Sequence, residues 1–484
     1  MKRILGIFRK DVRHLWPQAL LFWAVLGIPA AMHHLVNWLS ADRMALVFQP
    51  LGCWLLVVSV IHGETLVGHQ QYWLTRPYSR KHLMAAKCLF LVVFVNLPLF
   101  VYQFVILAKE GFSPLDWLYA LLWRQVFFTI FFILPAAALA AVTRNLGQVL
   151  LAGILLGVTL SAGVSLLIPG GYTDWGGLDW IRDCGTALVV AAGATVALAL
   201  QYSRRRTAVS RAVLAGTLAL TMLVITAPRW GGAFAIQKLY SRERIRDTVV
   251  RVSFDPSRAG TQPRSWGSSS NDPSGVRLEI PVRVDDVPRG AMVGFDWNSI
   301  SIRSAHGTWR SGWLAFQALH DLSRGAAWLT VYVDPEFYRA SPDGAVELDG
   351  TLDLTLSRLV RTIPLQSGGG LVPEIGWCYG TGPYRAFATY RSYGLTCTSP
   401  FQQASIDVVL RSSGFPEQVW QHEAYAPFPT SAGFWPVSPV SSTSWKNTVG
   451  YSSLALMIHR PVAHVQRHFQ VRGLIMRQFM HPRW

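Results

Sequence analysis

Up to about residue 228 the chain is a succession of long apolar runs separated by short charged segments, and beyond it the pattern switches to alternation. A helix needs about 20 apolar residues to cross ~30 Å of hydrocarbon. Seven runs approach that length: 15–38, 44–63, 88–108, 118–142, 146–168, 185–202 and 209–227. Pro98 and Pro135 fall inside two of them and predict kinks. Residues 1–14 set Ile4, Leu5, Phe8 and Val12 against Lys2, Arg3, Arg9, Lys10 and Arg13, the pattern of a helix lying on the membrane surface before the chain turns inward. That long amphipathic leader weighs against a cleavable signal peptide, although Pro29-Ala30-Ala31 resembles a processing site.

In the second half apolar and polar residues alternate at 249–254, 276–284, 299–304, 327–333, 345–356, 405–412 and 465–476, with Gly, Pro, Ser and Asp between them. Period-two alternation is the mark of half-buried strands. The expected architecture is an α-helical polytopic membrane domain of about seven spans (15–227), followed by a mainly β, sandwich-like extracytoplasmic domain (228–484). Two smaller β modules fit the strand pattern as well. The run 260–275 reads as a flexible loop, and the Gly- and Trp-rich segment 169–184 is compatible with a dip back into the membrane.

Charge orients the spans. Lys2, Arg3, Arg9, Lys10 and Arg13 precede the first, Arg76, Arg80, Lys81 and Lys87 follow the second, Arg144 follows the fourth, and Arg204, Arg205, Arg206 and Arg211 follow the sixth. The alternate loops hold Arg43, Lys109 and Arg182. Basic residues accumulate on the cytoplasmic side, so the N-terminus is expected inside and the C-terminal domain outside. The net charge of +17 is then explained by topology and anionic lipid, and no nucleic-acid-binding motif accompanies it.

Candidate chemistry is sparse. No H-E-x-x-H or G-x-S-x-G occurs. His464 and His468 stand four apart, but in a strand they lie ~13 Å apart on one face, so no metal site is expected. Of the 5 Cys, Cys378 and Cys397 share the outer half, where an oxidising compartment favours a disulfide; the other reading is two small core residues. Arg124 lies within the fourth span, either snorkelling to an interface or held inside for function.

The stretch from Glu64 to Lys87 stands out. It is short, basic and aromatic, and carries Trp73, Arg76, Pro77, Ser79 and Arg80 between two apolar runs. Arg forks bind acidic surfaces directionally and Trp anchors in pockets. Simple retention of basic residues on the inner side accounts for Arg80 and Lys81 but not for Trp73 to Pro77.

With Pro77, Ser79, Arg80, Ala86 and Lys87 after a Glu at the end of span two, the first 230 residues or so resemble type-2 permeases of ATP-binding-cassette exporters. The Arg9-Lys10-Asp11 run of the leader fits the same pattern. The resemblance implies a bacterial cytoplasmic (inner) membrane location, a dimer with a second permease copy or homologue, and an ATPase partner docked on residues 64–87. It departs from the common pattern in its seventh span and outer domain. No Lys follows a Gly, so a Gly-Lys-Ser/Thr phosphate loop is absent and ATP and Mg would belong to the partner. An alternative reading is a polytopic sensor or scaffold whose outer domain binds a ligand or envelope protein. A membrane-anchored hydrolase comes third.

Overall fold

The computed structural model describes residues 2–32, 38–64, 79–167, 179–226, 230–239, 250–258, 275–315, 320–321, 326–364, 370–372, 376–384, 392–400, 407–411, 418–421, 434, 436–446 and 455–480. Trp73, Arg76 and Pro77 lie outside them, as do nearly all of the loop at 260–275 and most of the segment at 169–184.

Helix α1 (Lys2–Met32) is continuous, so the leader expected on the surface over 1–14 runs straight into the first apolar run. It is followed by α2 (Trp38–His62), α3 (Arg80–Leu91) and α4 (Leu97–Lys109), then α5 (Leu118–Phe128), α6 (Leu134–Val142), α7 (Leu146–Leu167), α8 (Asp179–Arg204), α9 (Thr207–Thr226) and α10 (Trp230–Leu239). Among the described residues, five helices are long and apolar enough to cross a membrane: Arg80–Lys109, Leu118–Val142, Leu146–Gly163, Trp180–Arg204 and Thr207–Thr226. The apolar part of α2, Phe48–His62, is shorter.

The helices pack around Phe22, Leu56, Phe90, Leu99, Leu121 and Phe128, all buried. Outside, α7 presents Leu151, Ile154, Leu155 and Val158, each more than half exposed, a surface suited to hydrocarbon rather than water. Helices α8 and α9 approach closely at Gly193, where a Cβ would overlap Thr217. Small residues at a crossing permit such contact in lipid, where van der Waals packing replaces the hydrophobic effect between helices.

Two long helices widen into π turns, Val92–Asn96 joining α3 to α4 and Thr129–Ile133 joining α5 to α6. Each ends two residues before a proline, Pro98 and Pro135. Proline lacks the N–H that would bond the carbonyl four residues back, and its ring crowds that carbonyl. At Pro98 the freed carbonyl is that of Phe94, and Trp23 Nε1 of α1 donates to it at 3.1 Å. The expected distortions are therefore present, taken up as π turns.

The second half is β-rich. Its strands are β1 (Arg251–Phe254), β2 (Val276–Asp285), β3 (Ala291–Ser304), β4 (Gly307–Ala315), β5 (His320–Asp321), β6 (Ala326–Val333) and β7 (Ala345–Pro364), with helix α11 (Pro335–Ala340) before the last. Then come β8 (Gly370–Val372), β9 (Gly376–Tyr384), β10 (Ser392–Pro400), β11 (Asp407–Arg411), β12 (Gln418–Gln421), β13 (Val437–Lys446) and β14 (Ala455–Ile475). They form antiparallel sheets ordered β1-β2-β6-β5, β13-β10-β9-β8 and β12-β11-β14-β7-β3-β4. One apolar cluster joins Leu278, Ile280, Leu329 and Val331 of the first sheet to Phe295, Ile302, Leu348, Leu354 and Phe469 of the six-stranded one. Gly350 on β7 lies under the Phe469 ring of β14, its register partner, and any side chain there would collide with the ring.

Among the described residues, several contacts root the β region in the helices. Phe234 of α10 packs on Trp313, ring centroids 4.7 Å apart, beside buried Trp297 and Ile181 of α8. Gln237 of α10 meets His464 of β14 at 3.1 Å, and Gln103 of α4 donates to the Phe434 carbonyl.

Candidate functional site

The residues flanking 65–78 are drawn together by the fold. Glu64, just past the end of α2, and Lys87, in α3, are both buried and meet Lys10 and Asp11 of α1. Lys87 Nζ donates to Asp11 Oδ2 at 2.9 Å and stands 3.7 Å from Glu64 Oε2, while Lys10 Nζ donates to Glu64 Oε1 and lies 3.4 Å from Asp11 Oδ1. Two cations thus face two anions in a closed square, which offsets the desolvation of its three buried members, Asp11, Glu64 and Lys87. Glu64 and Lys87 serve this cluster from within, so they are not surface groups for a partner to grip.

Ser79 has a local task. As N-cap of α3, its Oγ accepts from the His82 amide at 3.3 Å, satisfying one of the donors that every helix start leaves unpaired. Arg80 is exposed and donates through Nη1 to the Ser203 carbonyl at the end of α8. Arg211 does the same for α6, donating from Nη2 to the Val142 carbonyl at 2.8 Å. Cations at helix C-termini complement both the free carbonyls and the dipole. These basic residues therefore tie helix ends together at the end of the bundle that bears segment 65–78. Arg124 is buried in α5.

A second polar cluster lies in the six-stranded sheet. Strand β7 alternates Leu352, Leu354 and Leu356 into the apolar core with Asp353, Thr355 and Ser357 on its other face, and that face is buried too. A bulge in β3 at Asp296 brings its carboxylate to the same face, where it accepts from Thr355 Oγ1. His464 Nδ1 of β14 stands 2.9 Å from Thr355 Oγ1, 3.1 Å from Gln237 Nε2 of α10 and 3.7 Å from Asp296 Oδ2. Burial first, then the neighbouring Asp296 carboxylate, pushes the Asp353 carboxyl well above the usual carboxylate range, partly offset by a hydrogen bond with Gln466. His468 lies on β14 as the alternation implied, beside Thr351 Oγ1 at 2.9 Å. Among the described residues no three His, Cys, Asp or Glu come together as metal ligands.

Cys53, Cys88 and Cys184 carry free thiols. The register of β9 and β10 sets Cys378 directly opposite Cys397. Sequence reasoning missed Lys10 and Asp11 as partners of Glu64 and Lys87, and it missed the Asp296–Asp353–His464 cluster. The one available signal was a charge pair inside an otherwise amphipathic leader. No family model, curated protein or solved structure matches the chain.

Proposed function

We propose that the chain is the transmembrane permease subunit of an ATP-driven exporter, coupling a separate ATPase to export of a substrate or its extraction from the membrane. The observation that carries this reading is the ion square of Lys10 with buried Asp11, Glu64 and Lys87 beside segment 65–78. A partner pulling on that segment would act on α1, α2 and α3 as one unit. Seven spans, N-terminus in the cytoplasm, a sandwich-like outer domain, the bacterial inner membrane and a dimer with a second permease copy belong to the same proposal. The sensor or scaffold reading draws support from the contacts that root the β region in the helices.

Co-purification separates the two. Detergent extracts of the wild type are expected to bring down a soluble ATPase, and Arg76→Glu with Arg80→Glu is expected to reduce its recovery at least ~10-fold, as reversal of two charges in one docking contact implies. Membrane insertion should be unchanged. Undiminished ATPase recovery would remove the coupling role of the segment and leave the sensor reading.

An outward-facing second half also implies oxidised cysteines. Directly opposed residues of an antiparallel pair lie about 4.5–5.5 Å apart between Cα atoms, within the ~4.4–6.8 Å a disulfide spans. We therefore propose a cross-strand Cys378–Cys397 bond. Alkylation of denatured, unreduced protein should block Cys53, Cys88 and Cys184 only, and the remaining two after reduction; five adducts without reductant would refute it.

A further inference from the structure

Helices α8 and α9 are joined through Arg205 and Arg206, directly after Arg204 at the end of α8. Arg204 and Arg206 are exposed. Arg205 is half-buried and sits at φ 53°, a left-handed conformation that suits glycine or asparagine better than a long side chain. The backbone of the turn therefore gives no reason for an arginine there. Arg80, at the start of α3, reaches the same corner by donating to the Ser203 carbonyl. That bond uses one of the five N–H donors of a guanidinium. Lys81 beside it is exposed.

Charges of one sign are gathered here with nothing opposite them. No acidic residue occurs from 65 to 109 or from 184 to 242. Among the described residues none of Arg80, Lys81, Arg204 and Arg206 forms an ion pair, and Asp11 and Glu64 of the square already face Lys10 and Lys87. Burial first, and then the neighbouring Arg80 charge, lower the Arg205 guanidinium below the usual arginine range. The corner therefore favours an anion, and the guanidinium fork matches phosphate oxygens in particular.

What lies below the corner selects the kind of anion. Three of the helices long and apolar enough to cross a membrane end there: Arg80–Lys109, Trp180–Arg204 and Thr207–Thr226. Four-residue spacing places Met84, Cys88 and Val92 in line with Arg80 on one face of α3, and all three are exposed. On α8, Ala199 and Val196 are exposed below Ser203. By helical rise the stripe from Arg80 to Val92 is ~18 Å long, enough for one leaflet's share, about 15 Å, of the hydrocarbon layer. A soluble anion or an acidic protein has no use for such a stripe, whereas a phospholipid engages both the charge and the apolar face.

We propose that this corner is a headgroup site for an anionic phospholipid, its phosphate held by Arg80, Arg204 and Arg206 and an acyl chain lying along Met84, Cys88 and Val92. Such a lipid joins α3 to the α8–α9 pair at a second point, beside the bond from Arg80 to Ser203. Nothing in this depends on an ATPase partner.

The test uses the full chain in phosphatidylcholine nanodiscs doped with phosphatidylglycerol that carries a photoreactive diazirine acyl chain. Phosphatidylcholine with the same acyl chain is the reference. Phosphatidylglycerol should label Arg80–Lys109 and Trp180–Arg204 at least ~10-fold more than the reference, since each basic residue near an anionic headgroup contributes about 5-fold. Arg206→Gln should cut that excess ~5-fold, and Arg204→Gln, Arg205→Gln and Arg206→Gln together should abolish it. Arg13→Gln, at an exposed position of α1, should leave it unchanged. Equal labelling by the two lipids, adducts elsewhere, or an equal loss from Arg13→Gln would overturn the proposal. Complete competition by sn-glycerol 3-phosphate or by polyglutamate would overturn it too, marking a soluble phosphate or an acidic protein as the occupant. Should the triple variant fail to insert, Arg206→Gln decides alone: a loss supports the site and an undiminished excess refutes it. These variants keep Arg76 and Arg80, so lipid labelling and ATPase recovery are read independently.

Discussion

Lys87→Met should be among the most damaging single substitutions in the helical half. Lys87 is buried, and its ammonium faces both Asp11 and Glu64. Methionine keeps the stem's volume but leaves two buried carboxylates sharing Lys10, whose side chain is 37% exposed. Removing one partner from a buried ionic set costs about 3–5 kcal/mol, because the surviving charge has lost its solvation and its counter-ion together. Glu64 is already the most strained member, since its Oε2 accepts no hydrogen bond and relies on Lys87 at 3.7 Å. The expected result is a fall in the thermal midpoint of the detergent-solubilised protein and in the monodisperse fraction on gel filtration. Asp11→Leu added to Lys87→Met should recover much of the loss, because a balanced removal leaves one cation and one anion, Lys10 and Glu64. A double variant no more stable than Lys87→Met would show that the cluster is not held by charge balance.

How far these features could be read from the sequence depends on the range of the interactions behind them. Seven of the fourteen described strands (β1, β2, β3, β6, β7, β11 and β14) announced themselves because a pleated backbone sends neighbouring side chains to opposite faces, so Leu352, Leu354 and Leu356 alternate with Asp353, Thr355 and Ser357 whatever lies beyond; β4, β5, β8, β9, β10, β12 and β13 were not read from the sequence. The helices were equally legible from apolar length, and Pro98 and Pro135 marked the distortions because the missing N–H is a local fact. What alternation cannot tell is whether the polar face meets water. In β7 it shares a buried face with Asp296 of β3 and His464 of β14, on which Gln237 of α10 closes, so residues that read as solvent-facing form a buried cluster instead. The square around Lys87 was hidden for another reason: Lys10 and Asp11 reach partners 54 and 76 positions away, which no periodicity reports. The amides at 96, 103 and 125 looked like isolated interruptions of two apolar stretches, and only packing shows them bonded to one another. Cys378 and Cys397 were paired by shared compartment, and the strand register supplies a nearer reason for the same pairing.

Asp353→Asn should act in the opposite sense from Lys87→Met, and only above a certain pH. The Asp353 carboxyl is buried beside Asp296 and its pKa is raised in the folded protein, chiefly by burial. An unfolded aspartate loses its proton near pH ~3.9, so between there and the higher folded value the native state binds more protons than the unfolded one. Stability then falls as pH rises through that window and does not recover above it. Asparagine has the same shape and never ionises, which abolishes this loss. At pH 8 the variant should melt several degrees above wild type, a β unit of this size moving about 2–4 °C per kcal/mol, while at pH 4 the two should nearly coincide. Asp296→Asn should shift the profile the same way but less, because it removes the second cause and leaves the first, and it keeps an oxygen to accept from Thr355. Melting followed by tryptophan fluorescence from pH 4 to 8 reports on this directly, with Trp297 and Trp313 on the neighbouring strands. A difference between variant and wild type that is the same at both ends of that range, or a lower midpoint for asparagine at pH 8, would mean that Asp353 is held ionised by the cluster and not neutral by burial.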